Sequence, residues 1–260
     1  MTRLAIAIGE VFEHLPRAPI AEAVIDVRAR ASTVLEEGAP KPQLESRLGG
    51  YQFLDSQRTI EIQHKVHGAG DAPPSSVVRD LGWKGLRFQS ADKRHIVQFN
   101  RDGFVFSRLE PYETWQKFHD EAMRLWKGYS ELARPTDIHR IGLRYINRIQ
   151  LPPNELRFED YLEPAPVPPK DLGLPFHGFL HQDTLGVPGH PYAMNVTRTM
   201  QRPGAQGSAG FGLILDIDVF TAQGFELEEA TLEQRLLEMR WLKNKVFFGS
   251  ITPSARKLFQ

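Results

Sequence analysis

The chain has 260 residues, 41% hydrophobic and 25% charged, with 32 Lys plus Arg balanced by 32 Asp plus Glu. Such a chain can bury a sizeable core, and its neutral balance gives no global pull toward nucleic acid or acidic membranes. The absence of cysteine excludes disulfides, thiolate metal sites and a cysteine nucleophile, and it fits a reducing cytoplasm.

No apolar run approaches the roughly 18 residues a membrane span requires. The opening MTRLAIAIGEVFEHLPRAP has one early basic residue, then Glu10, Glu13 and His14. It makes a poor signal peptide and is expected to pack on the body of the protein. PRAPI (Pro16–Ile20) is a stiff lead-in. EAVIDVRAR then alternates, with Ala23, Ile25, Val27 and Ala29 on one side and Glu22, Asp26, Arg28 and Arg30 on the other. A period of two predicts a strand with one buried face. Residues 38–50 read as a turn-rich connection with room for a short helix, and Tyr51–Val66 as a second extended stretch.

Residues 68–80 have loop composition. Three short strands follow at Gly85–Gln89, His95–Asn100 and Phe104–Leu109, the last two joined by a tight Asp102-Gly103 turn. The apolar stripe Trp115, Phe118, Ala122, Leu125, Trp126, Tyr129 and Ala133 predicts a long helix over Tyr112–Arg134, stopped by Pro135. Next comes the strand Ile138–Leu151. Residues 152–175 are a Pro-rich, acidic connection with a helical turn near Phe158–Leu162. Strands are expected at Gly178–Gln182, Tyr192–Met200 and Gly212–Phe220. The final helix, Glu226–Phe248, uses Leu232, Leu236, Met239, Leu242 and Val246 as its stripe, with Gly249 as its C-terminal stop.

This order predicts an α+β protein in which antiparallel sheets cover two long helices. Residues 1–260 form a single compact unit made of two similar halves, 18–135 and 136–252, each running strand, connection, strands, helix.

Five segments together carry a resemblance: PIAEAVIDVR (19–28), RFQSADKRHIVQFNRDGFVFSRLEPYETWQKFHDEAMRLW (87–126), RIGLRYINRI (140–149), LDIDVF (215–220) and LKNKVFFGSIT (242–252). In their order they resemble a sporadically distributed bacterial family of uncharacterised conserved proteins of about this size. The resemblance implies a prokaryotic cytoplasmic protein and brings no catalytic assignment with it. The family's patchy distribution is similar to that of accessory genes in defence or toxin–antitoxin loci.

The clearest charged pattern is on the strand RIGLRYINRI, where Arg140, Arg144 and Arg148 share one face. At ~3.3 Å per residue they repeat every 13 Å or so. Guanidinium groups suit phosphate or carboxylate, so one reading is an anion-binding face. The other is a cross-strand salt-bridge ladder in which Arg144 and Arg148 pair with Asp216 and Asp218 of LILDIDVF. Those two aspartates also invite a Mg²⁺ reading, but no third carboxylate stands at a diagnostic spacing. EIQHK (Glu61–Lys65) has Gln63 where a triphosphate-tunnel strand needs its second acid. His64 with His67, and His177 with His181, lack helical zinc-ligand geometry.

The aromatic helix residues Trp115, Trp126 and Tyr129 read as core, with the lining of a ligand cavity as the alternative. Adjacent Phe247 and Phe248 cannot share one narrow stripe, so one reading has one of them project and anchor a partner or a second copy, and the other has the N-terminal segment cover both. The leading expectation is a non-enzymatic binding protein with a protein partner or self-association and no cofactor. An anion, nucleotide or nucleic-acid binder comes second, with a small phosphorylated ligand favoured over nucleic acid, and a metal-dependent phosphohydrolase third.

Overall fold

The computed structural model describes residues 2–65, 75–151, 157–167, 177–201 and 210–260. The fold is α+β, built on one sheet of ten strands. In chain order the strands are β1 (Ile20–Ala31), β2 (Tyr51–Lys65), β3 (Ser75–Ser90), β4 (His95–Asn100), β5 (Gly103–Leu109), β6 (Pro135–Gln150), β7 (Leu180–Gly186), β8 (Tyr192–Gln201), β9 (Gly212–Thr221) and β10 (Phe225–Glu226). The helices are α1 (Lys41–Arg47), α2 (Trp115–Ala133), α3 (Glu229–Ser250) and α4 (Pro253–Lys257). Across the sheet the order is β2-β3-β4-β5-β1-β6-β9-β8-β7, with β10 beside β6. Every neighbouring pair is antiparallel.

The strand alternation decides which face is covered. Ala23, Ile25 and Val27 of β1 stand beside Phe106 and Phe104 of β5 and beside Tyr145, Leu143 and Ile141 of β6. Leu215, Ile217 and Val219 of β9 continue that face, and all of these side chains are buried. Both long helices lie on it. Phe118 of α2 stacks on Phe106 at 5.5 Å and meets Tyr145 edge-on at 6.1 Å, and Trp126 meets Phe104 at 5.8 Å. The aromatic stripe is therefore mostly core, though Trp115 is half-buried at its edge.

Local chemistry sets the element ends. The Thr114 hydroxyl accepts from the Lys117 N–H at 3.3 Å and caps α2. Arg134, in the left-handed region at φ 45°, closes the helix through its N–H to the Ser130 carbonyl, and Pro135 already belongs to β6. At the β4–β5 turn a side chain on Gly103 would sit 2.1 Å from the Val27 carbonyl oxygen, so only glycine fits.

Several boundaries and one architectural expectation change. There is one continuous sheet rather than separate ones, because β1 and β6 pair at its centre. Residues 75–80, with loop composition, belong to β3, where β2 supplies their hydrogen-bond partners. Residues 68–74, like 152–156 and 202–209, lie outside the described residues. Glu226 is in β10 and not in the last helix. Gly249 does not end α3; it lies in the helix's final turn, before Ser250. The strand expected at Gly178–Gln182 runs Leu180–Gly186 as an exposed edge.

The segment before β1 straps across α3 and the C-terminal turn. Trp241 donates to the Glu10 carboxylate at 2.7 Å, and Lys245 reaches the same group at 3.0 Å. Phe12 stacks on Phe248 at 5.7 Å, and the Arg17 N–H donates to the Phe259 carbonyl at 3.0 Å. Held between sheet and strap, α3 is apolar on more than one side: Leu232, Leu236, Met239, Trp241, Leu242 and Phe247 are all buried. No helix among the described residues is long and apolar enough to cross a membrane.

Candidate functional site

The residues expected to bind a ligand all lie on the sheet face away from the helices. The register sets Arg144 opposite Asp218 and Ile146 opposite Asp216, yet the ion pairs run diagonally. Arg144 holds Asp216 through Nε at 2.9 Å and Nη2 at 2.5 Å. Arg140 bridges Asp26 at 2.6 Å and Asp218 at 3.1 Å. Gly142 makes room for this bridge, because a side chain there would meet Arg140 Nη1 at 2.5 Å. Arg148 reaches neither aspartate; its strand partner there is Ile214, and it approaches Glu110 at 3.9 Å.

Burial pushes the Asp26 and Asp218 carboxyls up, and the Arg140 charge offsets only part of that. Hydrogen bonding to Asp216 raises Arg144. This half of the expected site is a charge ladder whose anion-binding capacity is already used by its own carboxylates. Among the described residues, no three His, Asp or Glu side chains converge as a metal site. The side chain of His64 and all of His67 fall outside the described set.

Phe247 and Phe248 lie beside the strap. Phe247 is buried and half-buried Phe248 stacks on Phe12, an arrangement that follows the reading in which the N-terminal segment lies over both. Large exposed apolar side chains gather elsewhere, on the β2–β3 arm at Ile60, Ile62, Val78 and Leu81.

A second group of polar and aromatic side chains surrounds a cavity of about 450 Å³ between the strap, the start of α2, the end of β6 and the middle of α3. Phe12, Trp115, Phe247 and Phe248 give it apolar walls, and Tyr112, Tyr145, Arg240, Lys243 and Asn244 give it polar groups. The Tyr112 and Tyr145 hydroxyls are 3.1 Å apart. Burial pushes Tyr112 up to about 12 and Tyr145 well above its ordinary value, so both remain protonated donors at neutral pH.

Arg240 lies over the Trp115 ring at 5.4 Å, and Lys243 Nζ lies over the Tyr145 ring at 3.9 Å. Neither cation forms an ion pair among the described residues. The carboxylates of the rim are committed elsewhere. Glu10 takes Trp241 and Lys245, Glu13 takes Gln260, and Glu113 takes Lys117 and Arg108. Burial, and then the neighbouring Arg240 charge, lower the Lys243 amine to about 7. An aromatic face returns only about 0.5–2 kcal/mol to a cation.

The arrangement is two uncompensated cations in a partly apolar cavity beside two hydroxyl donors. Reading the strands alone misses it. The signal available in the sequence was the four-three-four spacing of Leu236, Arg240, Lys243 and Phe247, which sets two cations on the same helical side as buried apolar residues. No family model, curated protein or solved structure matches the chain.

Proposed function

We propose that this protein is a non-enzymatic binding protein that holds a small organic anion, a carboxylate or phosphate attached to a flat apolar group, in the cavity under the strap. One observation carries the reading: Arg240 and Lys243 face the cavity without a carboxylate partner among the described residues, whereas Arg140 and Arg144 on the open sheet face are each neutralised. An anion between Arg240 and Lys243 supplies the missing countercharge, and Trp115, Phe12 and Phe248 suit the ligand's apolar part. The cavity is of the size that small-molecule sites occupy.

Isothermal titration with phenyl phosphate at pH 6 tests this. Saturable binding that weakens about tenfold or more in Arg240→Met supports it, in line with the loss of a charge-assisted hydrogen bond. Equal heats in wild type and variant defeat it.

The segments that resemble the sporadically distributed bacterial family suggest an accessory role in a defence or toxin–antitoxin locus. The lack of cysteine supports a reducing, cytoplasmic compartment. We also read the chain as an internal duplication. Outward from β1 come β5, β4, β3 and β2, and outward from β6 come β9, β8 and β7, so the first half carries one additional edge strand. Each series precedes its own long helix in sequence, α2 and α3 respectively, and β1 and β6 pair antiparallel at the centre. That order supports two halves related by an approximate two-fold.

A further inference from the structure

We infer that Lys243 forms an imine with aldehyde or keto acids bound in the strap cavity. The inference rests on the anion reading of that cavity and names the class of ligand. It stands on three features of the geometry. Lys243 is a primary amine that lines a cavity, with no carboxylate among the described residues holding it as an ammonium ion. Arg240 lines the same cavity about one helical turn away and has no ion-pair partner among the described residues, so it can take the acid group of a keto or aldehyde acid and turn the carbonyl carbon toward Lys243. The Tyr112–Tyr145 hydroxyl pair stands in the same wall as a protonated donor. The lowered affinity of Lys243 for its proton means that at neutral pH a sizeable share of the amine carries a free lone pair.

The chemistry balances without an outside reagent. The Nζ lone pair attacks the carbonyl carbon and the C=O π electrons move to oxygen. One amine proton passes to that oxygen through the hydroxyl pair or water, giving a carbinolamine. Its C–O bond then breaks, the oxygen leaves with the second amine proton as water, and the nitrogen lone pair forms the C=N bond. No electron is gained or lost. Arg240, unable to give up a proton, keeps its charge throughout and holds the acid group in place. Lys245, two residues further along α3, is tied to Glu10 and provides the internal contrast.

The test uses the full chain with glyoxylate and cyanoborohydride at pH 7, followed by peptide mapping, with phenyl phosphate titration run in parallel. An ordinary lysine amine is almost wholly protonated at that pH, so Lys243 should be reductively modified about tenfold or more faster than Lys245, and phenyl phosphate should slow it. Modification spread evenly over Lys243 and the surface lysines, with phenyl phosphate still bound, overturns the imine and leaves the anion site standing. Selective modification without phenyl phosphate binding or protection overturns the ligand class proposed here. Failure of both measurements removes the inference and the reading beneath it. Because the mapping is done on the unsubstituted protein, no outcome depends on a variant that fails to fold.

Discussion

Replacing Lys243 by methionine isolates the cost of placing an amine in the strap cavity. Methionine fills a similar volume with a flexible apolar chain and leaves Arg240, Tyr145 and the strap in place. The Lys243 amine is lowered from 10.5 to about 7 by burial and by Arg240. Below pH 7 both the folded and the unfolded chain carry the proton, and folding bears the full cost of the confined charge. Between pH 7 and 10.5 the unfolded chain binds more protons than the folded one. Wild-type stability therefore rises with pH through that window, at a limiting slope of about 1.4 kcal/mol per pH unit. The side chain keeps part of its surface open to the cavity, so over the interval from pH 7.5 to 9.0 the expected gain is roughly 1–2 kcal/mol. Urea unfolding of wild type and Lys243→Met in a phosphate-free buffer reads this directly, because other titrating groups cancel in the difference. Methionine should be the more stable form near pH 7, and the gap should close as pH rises. A gap that does not change with pH would refute the reasoning and show an amine in ordinary solvent.

Other outcomes follow from the same packing. Arg140→Met leaves half-buried Asp218 without its bridging guanidinium and Asp26 with only the 3.6 Å contact to Arg28, and should cost about 3 kcal/mol in denaturant unfolding, whereas Arg144→Met, half-exposed and paired with one acid, should cost ~1 kcal/mol or less. Phe106→Ala removes a fully buried ring between His95 and Phe118 and should cost about 3–5 kcal/mol, read by thermal or urea unfolding. Glu10→Ala frees Trp241 and Lys245, so limited trypsin digestion at Arg17 should accelerate while the core remains resistant. In wild type, hydrogen bonds from Lys245 and Trp241 hold the Glu10 carboxyl below its usual range, so the strap contact persists at neutral pH and is lost only as pH falls through that lowered value. Trp241 fluorescence should report the change.

Much of the fold is legible in local pattern. The alternation of β1 and β6 and the aromatic stripe of α2 each encode one buried face, and that face is where the structure puts them. The diagonal Arg144–Asp216 pair is within reach of the same logic, since both residues sit on one strand face. What local pattern cannot supply is which strands meet. The central β1–β6 pairing joins segments more than a hundred residues apart, and it turns separate sheets into one. Residues 75–80 look like a loop because their composition is polar and proline-flanked; β2 makes them a strand by offering a ladder of partners. Gly249 fails as a stop because the chain continues helically for one more residue and then pairs Ile251 with Leu162. The cavity was hidden for a related reason. Arg240 and Lys243 interrupt the helical side they share with Leu236 and Phe247, and only the strap, which local pattern does not place, turns that interruption into a cavity wall.

The most direct measurement is a crystal structure of the protein grown with phenyl phosphate. The phosphate is expected between the Arg240 guanidinium and the Lys243 amine, with the ring against Trp115 and Phe248 and the Arg140–Asp218 and Arg144–Asp216 pairs intact. Phosphate on the open sheet face at Arg144 and Arg148, with those pairs broken and the strap cavity without ligand, would contradict the assignment.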